Sequence, residues 1–365
     1  MSYPRPPRLR RVTRGLGLAL VTLAISLAGL ELALRALELR PVSWPEELGR
    51  PHLRSAEGPL GWELVPGGLQ RLRYPAWAGG AEREVRAHVN AHGWRGAEPV
   101  RERPALRIAC AGDSFTYGSG VQDGETLPAQ LAAALRADGV RGVEVLNWGV
   151  EGYDTTQEVA QLERRLPRWR PDLVVLTYFL NDANHPDAPR VPPPPRLQRL
   201  LLSACATDAS AALSDLRERS WVARWACLEL TFALLDGRQA LMEDALYDGA
   251  NPGWDAVRAG LLRARDLARA NESALLVALY PRLTRRGAGL VGDAAYARVA
   301  DFCRAEGIDV VDLSPAFAGR RVEDLHVHPL DPHPDARAHA LAARALADRL
   351  HALGWLTPGV ARAGR

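Results

Sequence analysis

The sequence contains no lysine, and all 46 of its basic residues are arginines. A Schiff base on a lysine side chain is therefore excluded as a catalytic device. Only four cysteines are present and no two form a C-x-x-C pair, so a thiolate zinc site has little support. The sequence also lacks a phosphate-loop motif and a Rossmann glycine pattern after a strand. We predict neither a metal nor a cofactor.

An excess of charge is confined to the beginning of the chain. The first fourteen residues carry five arginines and no acidic residue. Without these five positive charges, the formal net charge of +3 becomes −2 for the remaining chain. A nearly neutral body has no general basic face, so nucleic acid is not a predicted partner.

The basic tail precedes a long apolar segment. Residues 15–30 are uncharged and almost wholly apolar, and the segment continues to residue 38 with Glu31 and Arg35 spaced to pair on one helix face. This pattern predicts a cytoplasmic tail over 1–14 and a single-pass transmembrane signal-anchor helix over 15–38. The catalytic domain is then expected on the extracytoplasmic side of the cell membrane. A removed signal peptide and a buried core helix are the alternatives, although no clear cleavage site follows.

Composition divides the remaining chain. Residues 40–104 are rich in proline, glycine, tryptophan and arginine and contain short extended segments, which predicts a β-rich lead-in. From residue 105 to 355, apolar strand patterns alternate with helical patterns, which predicts a parallel sheet covered on both faces. A helical insertion over about 185–270 interrupts this domain. It is a candidate lid, a candidate membrane-resting segment, or an extra helical pair on the sheet edge.

Polar residues follow the predicted strands at the edge where active sites of parallel sheets lie. Ser114 follows the first strand of the domain, while Asp331 and His333 precede the last helix. A serine hydroxyl becomes a useful nucleophile when a base accepts its proton. His333 is the candidate base, and Asp331 is the candidate residue that holds its other ring nitrogen.

The same strand ends supply candidate donors for an oxyanion. Gly152 offers a backbone N–H without a side chain in the way, and Asn181 offers its amide group. The backbone N–H of Ser114 lies at a helix start and is the third donor. Together with the nucleophile and base, these donors are what acyl transfer requires.

Four sequence blocks now identify a family. Gly112-Asp113-Ser114, the segment NWGVEG, Asn181-Asp182, and the pair Asp331 and His333 resemble the blocks of the SGNH (GDSL-like) hydrolase superfamily, in the expected order over 105–352. The resemblance implies a flavodoxin-like three-layer α/β/α sandwich, with Ser114, Gly152 and Asn181 forming the oxyanion hole. It also implies metal-free hydrolysis of esters, thioesters or acetylated sugars. The apolar segment and the insertion resemble those of bacterial membrane-anchored members.

Two positions depart from the family pattern. Phe179 occupies the place where the third block usually has glycine, which is expected to narrow the pocket beside Asn181. Asp331 and His333 are separated by one residue, whereas the last block is often D-x-x-H. The shorter spacing is similar to that of acetyl-transferring relatives, so water and a sugar hydroxyl both remain candidate acceptors.

Other interpretations of these residues remain open. Ser114 is also a typical helix N-cap. His326 and His328 alternate as residues of a strand do, and with Asp331 and His333 they are an alternative metal site.

The favoured prediction is a serine esterase that acts through an acyl-enzyme on ester-linked acyl or acetyl groups of envelope carbohydrate or lipid. Its expected partners are an ester-containing small molecule, a lipid or an acetylated glycan, and the membrane. The alternatives are an O-acetyltransferase for an envelope polysaccharide and a non-catalytic envelope binding module with the same fold.

Overall fold

A computed structural model describes residues 8–37, 45–48, 53–56, 58–76, 81–183, 216, 219–227, 247, 251–286, 289–290 and 292–357. The chain divides into two units. The first unit comprises Met1–Ser43, Ala76–Ala81 and Pro192–Arg238, and the second comprises Trp44–Pro75, Glu82–Val191 and Gln239–Arg365.

Seven labelled helices and fourteen strands lie within the described residues. The helices are α1 Arg8–Ala36, α2 Ser114–Tyr117, α3 Leu127–Ala137, α4 Thr155–Trp169, α5 Pro252–Ala270, α6 Asp293–Ala305 and α7 Ala336–Ala352. The strands are β1 Glu46–Glu47, β2 Leu53–Ser55, β3 Trp62–Leu64, β4 Leu69–Tyr74, β5 Arg83–His88, β6 Leu106–Gly112, β7 Val143–Gly149, β8 Leu173–Tyr178, β9 Ala274–Leu279, β10 Arg285–Arg286, β11 Gly289–Leu290, β12 Asp309–Asp312, β13 His326–His328 and β14 Asp331–Pro334. A further short helix spans 221–227.

A five-stranded parallel sheet forms the core of the second unit, in the order β12-β9-β8-β6-β7. The segments LRIACAG, LVVLTY and ALLVAL are buried along their full length, as is typical of parallel strands covered on both faces. One apolar cluster includes side chains of α4, α5 and α6, and the other includes side chains of α3 and α7. The predicted three-layer α/β/α fold with a parallel sheet is confirmed.

Helix α5 occupies the last part of the segment that was predicted to be an insertion, about 185–270. Its side chains Val257, Leu261, Ala264 and Ala268 are buried in the core. The helix leads from β8 to β9, and neighbouring parallel strands need such a crossover. The amphipathic pattern of 252–270 is therefore that of a crossover helix of the sheet. Most of the remaining insertion lies outside the described residues.

The β-rich segment that precedes β6 packs onto the carboxyl end of the sheet. Strands β1, β4 and β5 form an antiparallel sheet, and β2 pairs with β3. Tyr74 and Val85 are buried with Val121 and Val327, which lie on loops at that end. The segment therefore borders the edge where the polar residues collect.

Helix α1 belongs to the first unit. Its stretch Gly15–Ala36 has a mean hydropathy of 2.0, and none of it is buried. This is long and apolar enough to cross a membrane, and a signal sequence has the same properties. Near its end, Glu31 accepts hydrogen bonds from the backbone N–H groups of Trp221 and Val222 at 3.1 and 2.9 Å. Glu31 thus caps the helix 221–227, and it also pairs with Arg35 as its spacing predicts.

Candidate active site

The turn after β6 presents Ser114. Asp113 is the N-cap of α2, because its carboxylate accepts the backbone N–H of Phe115 at 2.9 Å. Ser114 is the first residue of the helix, so its interpretation as the N-cap is wrong. Because Asp113 satisfies the helix terminus, the hydroxyl of Ser114 is left available to the cleft.

A hairpin 219 residues away brings the other two predicted residues to this hydroxyl. Strands β13 and β14 pair, and β14 begins at Asp331. The Nε2 atom of His333 lies 2.9 Å from the Oγ of Ser114. Its Nδ1 atom lies 2.5 Å from Oδ1 of Asp331. The three side chains form a continuous hydrogen-bonded chain in the order serine, histidine, aspartate.

Burial and charge shift the pKa values of His333 and Asp331 in opposite directions. Burial lowers the pKa of His333, but the carboxylate of Asp331 outweighs it and raises that pKa to about 8. Burial raises the pKa of Asp331, and the charge and hydrogen bonds of His333 lower it to about 2. Asp331 is therefore ionised at neutral pH and stabilises an imidazolium on His333.

The pKa of Asp113 is shifted in the opposite direction from that of Asp331. The side chain is fully buried, and burial raises its pKa to about 6 although the N–H of Phe115 opposes this. Asp113 also receives a hydrogen bond from the side chain of Asn181. Its contacts are those of a residue that shapes the turn.

The predicted oxyanion donors occupy different positions. Gly152 follows β7 with φ +76° and lines one open cleft of about 820 Å³ together with Ser114, Asp331 and His333. Asn181 lies in a 3₁₀ turn, Leu180–Ala183, directly after β8. The described residues that line the cleft do not include Asn181. The structure thus brings four of the five predicted residues to the cleft surface and places Asn181 against Asp113.

Phe179, the departure from the third block, packs against the turn that carries Ser114. Its ring stacks on Phe115 with centroids 3.9 Å apart, and Phe115 in turn lies 5.6 Å from the ring of His333. The side chain that replaces glycine therefore builds an aromatic wall behind Ser114 and His333.

Several residues of the cleft were not predicted from the sequence. Trp62, Gln70 and Tyr74 come from the β-rich lead-in, and Ser119 and Glu151 come from loops next to the predicted site. Their partners lie 81 to 257 residues away along the chain, except for the pair Ser119 and Glu151. No local pattern marks such residues, because the contacts exist only once strands β3 and β4 pack on the domain.

The other histidines of the hairpin bond to the main chain. The Nε2 of His326 lies 2.5 Å from the carbonyl oxygen of Leu283, and the Nδ1 of His328 accepts the N–H of Leu330 at 3.1 Å. Within the described part of the chain, no group of three or more histidine, cysteine, aspartate or glutamate side chains is arranged to hold a metal ion.

Comparisons with known proteins point to one family. Residues 110–341 match the sequence model of the GDSL-like Lipase/Acylhydrolase family. Among solved structures, the chain is similar to a member of the lipolytic protein G-D-S-L family from Veillonella parvula, with 16% identity over 67% of this chain and 97% of that chain, and a TM-score of 0.39. It is also similar to a catalytic mutant of Axe2, an acetylxylan esterase from Geobacillus stearothermophilus, with 16% identity, coverage of 70% and 98%, and a TM-score of 0.41. No curated protein matches the chain.

The family match covers more than half of the 365 residues and includes the turn that carries Ser114, the segments after β7 and β8, and the Asp331–His333 hairpin. The protein therefore belongs to the GDSL-like lipase/acylhydrolase family and is a hydrolase that acts on ester bonds.

Proposed function

We propose that this hydrolase is a serine esterase that forms an acyl-enzyme on Ser114. The observation that carries the proposal is the hydrogen-bonded chain from Ser114 through His333 to Asp331, three residues that line an open cleft. An ester carbonyl in the cleft is attacked by the Oγ of Ser114, and Nε2 of His333 accepts the serine proton. The resulting imidazolium is stabilised by the carboxylate of Asp331.

The two halves of the reaction use the same groups. The imidazolium of His333 donates its proton to the departing alcohol, which leaves an acyl group on Ser114. His333 then accepts a proton from water as the water oxygen attacks the acyl carbon. It returns that proton to the Oγ of Ser114 as the bond from Oγ to the acyl carbon breaks and the acid is released. The backbone N–H groups of Ser114 and Gly152 are the proposed donors to the oxyanion in both steps. The amide nitrogen of Asn181 carries two N–H groups, and the one that is not bonded to Asp113 is the proposed third donor.

The proposed substrates are ester-linked acyl or acetyl groups on envelope carbohydrate or lipid. The proposed organisation is a tail over 1–14, a membrane helix over 15–38, a lead-in over 40–104 and a hydrolase domain over 105–355 on the extracytoplasmic side. The five arginines before an apolar helix support this orientation, because positive residues are retained on the cytoplasmic side.

The test uses the full-length chain in detergent micelles with p-nitrophenyl acetate, butyrate and octanoate. We expect hydrolysis by the wild type and none above background by Ser114→Ala. The dependence on chain length then measures the space for the acyl group. Equal rates for both proteins would refute the serine mechanism.

Transfer to a sugar hydroxyl is the second candidate, and the single residue between Asp331 and His333 favours it. An added oligosaccharide would then become acetylated at a rate that exceeds the release of acetate. Hydrolysis that is unchanged by the oligosaccharide supports the esterase.

A further inference from the structure

The phenol of Tyr74 contacts the acidic member of the proposed triad. Its hydroxyl donates a hydrogen bond to Oδ2 of Asp331 at 2.9 Å, while Oδ1 of the same carboxylate faces His333. Burial and the negative charge of Asp331 raise the pKa of Tyr74 far above its usual range. The phenol therefore keeps its proton and acts as a donor.

The surroundings of Tyr74 fix this hydroxyl. The side chain is fully buried, and the guanidinium of Arg83 lies 4.7 Å from the centre of its ring. Arg83 also donates to the carbonyl oxygen of Val327, at the base of the hairpin that carries Asp331, at 2.8 Å. At Gly120, where φ is +80°, a Cβ would lie 2.5 Å from the Tyr74 hydroxyl, so glycine is required for this packing.

We propose that Tyr74 is a positioning residue for the esterase, acting through Asp331 on His333. A carboxylate with only one fixed oxygen can rotate about its terminal bond, whereas one held at both oxygens keeps Oδ1 on the imidazole. Tyr74 lies outside residues 110–341, which match the family. The lead-in of this protein therefore supplies part of its proton-transfer machinery. This inference rests on the proposed serine mechanism.

Tyr74→Phe removes the hydroxyl and keeps the ring. We expect kcat for p-nitrophenyl acetate to fall about tenfold with KM little changed, because a hydrogen bond to a charged group is lost. The carboxylate that loses this donor attracts the imidazolium more strongly, so the acid-side midpoint of the pH profile rises. Tyr296→Phe is the matched control, because it removes a buried hydroxyl bonded to the carbonyl oxygen of Tyr280.

The same series separates this inference from the proposed function. If the wild type and Ser114→Ala behave alike, the proposed function fails. If only Ser114→Ala is inactive, and Tyr74→Phe retains the wild-type kcat and pH midpoint, the role of Tyr74 is overturned. A fall in kcat with an unmoved midpoint, matched by Tyr296→Phe, also overturns it. Circular dichroism spectra show which variants are folded, and only folded variants are compared.

A second residue of the lead-in contacts the proposed oxyanion peptide. The indole N–H of Trp62 donates to the carbonyl oxygen of Glu151 at 3.0 Å. That carbonyl and the N–H of Gly152 belong to one planar peptide unit. A hydrogen bond to the oxygen of a peptide polarises it and strengthens its N–H as a donor.

We infer that Trp62 positions and polarises the Gly152 N–H for the oxyanion. The side chain of Glu151 is also held, by Gln70 at 3.0 Å and Ser119 at 2.5 Å, so the peptide is fixed from both sides. The edge of the indole lies close enough to Gly152 that a Cβ there would be 3.3 Å from it. This inference also rests on the proposed function.

Trp62→Phe keeps an aromatic ring and removes the donor. We expect kcat/KM to fall about fivefold, and the affinity for a phenylboronic acid, which forms a tetrahedral adduct with serine, to fall by the same factor. The pH midpoint stays that of the wild type, unlike in Tyr74→Phe. With an active wild type and an inactive Ser114→Ala, unchanged boronate affinity in Trp62→Phe would overturn the inference.

Discussion

Replacing Asp331 with asparagine tests the electrostatics of the proposed triad. The rise of the His333 pKa from 6.5 to about 8 corresponds to at most roughly 2 kcal/mol, because His333 keeps 30% of its side-chain surface exposed and water screens the pair. In Asp331→Asn the effect of burial is opposed only by the weaker influence of Glu151 and Asp113, so the His333 pKa falls below its wild-type value of about 8. The asparagine amide can also donate an N–H to Nδ1 of His333, which favours the tautomer with the imidazole proton on Nε2. In that tautomer Nε2 cannot accept the proton of Ser114.

Two changes in the pH profile are therefore expected. The wild type loses kcat/KM as the pH falls through about 8, because His333 must be neutral to act as a base. In Asp331→Asn the midpoint moves to lower pH, and the plateau falls by about a thousandfold or more. The assay is hydrolysis of p-nitrophenyl acetate by the full-length chain over about five pH units. A variant that keeps the wild-type midpoint would refute the assignment of Asp331 as the partner of His333.

Two further predictions concern the residues beside Ser114 and the oxyanion peptide. Asp113→Asn removes a buried carboxylate with a pKa of about 6. Because the pKa is higher in the folded protein than the ordinary 3.8, ionisation of Asp113 lowers the free energy of unfolding. This destabilisation is absent below pH 3.8 and develops as the pH rises through about 6. Urea unfolding gives the difference in the free energy of unfolding between this variant and the wild type. That difference should be up to roughly 3 kcal/mol more favourable to the variant at pH 8 than at pH 4. An equal difference at both pH values would contradict the burial argument. Gly152→Ala places a Cβ on a residue with φ +76° and should lower kcat about a hundredfold by displacing the oxyanion N–H. Gly139→Ala is its control, since Gly139 has φ +85° and open space around it, and equal rates for the two alanine variants would argue against an oxyanion role for Gly152.

The parallel sheet could be predicted because its strands are continuous apolar runs bounded by turn residues. Ser114 could be predicted for a related reason, because it follows a parallel strand at the edge where active sites lie. Asp331 and His333 lie in the hairpin β13–β14, and they could be predicted because they precede the last helix and resemble the last block of the family. The assignment of α5 to the insertion shows the limit of this reasoning. A helical pattern before a strand does not reveal whether the helix crosses over the sheet or lies outside it.

The roles of Tyr74 and Trp62 were beyond the reach of local patterns. Both lie in short strands of the lead-in, where aromatic residues are common for reasons of packing alone. Their functional partners, Asp331 and Glu151, lie 257 and 89 residues away. Only the packed structure shows that one donates to a carboxylate and the other to a particular peptide carbonyl.

The most direct test of the account is to find which residue a fluorophosphonate modifies, by mass spectrometry of the digested full-length chain. We predict a single adduct on the peptide that contains Ser114, absent in Ser114→Ala and formed much more slowly in His333→Ala. Folded wild-type protein that gains no adduct, or that gains one on another residue, would contradict the claim that Ser114 is the nucleophile.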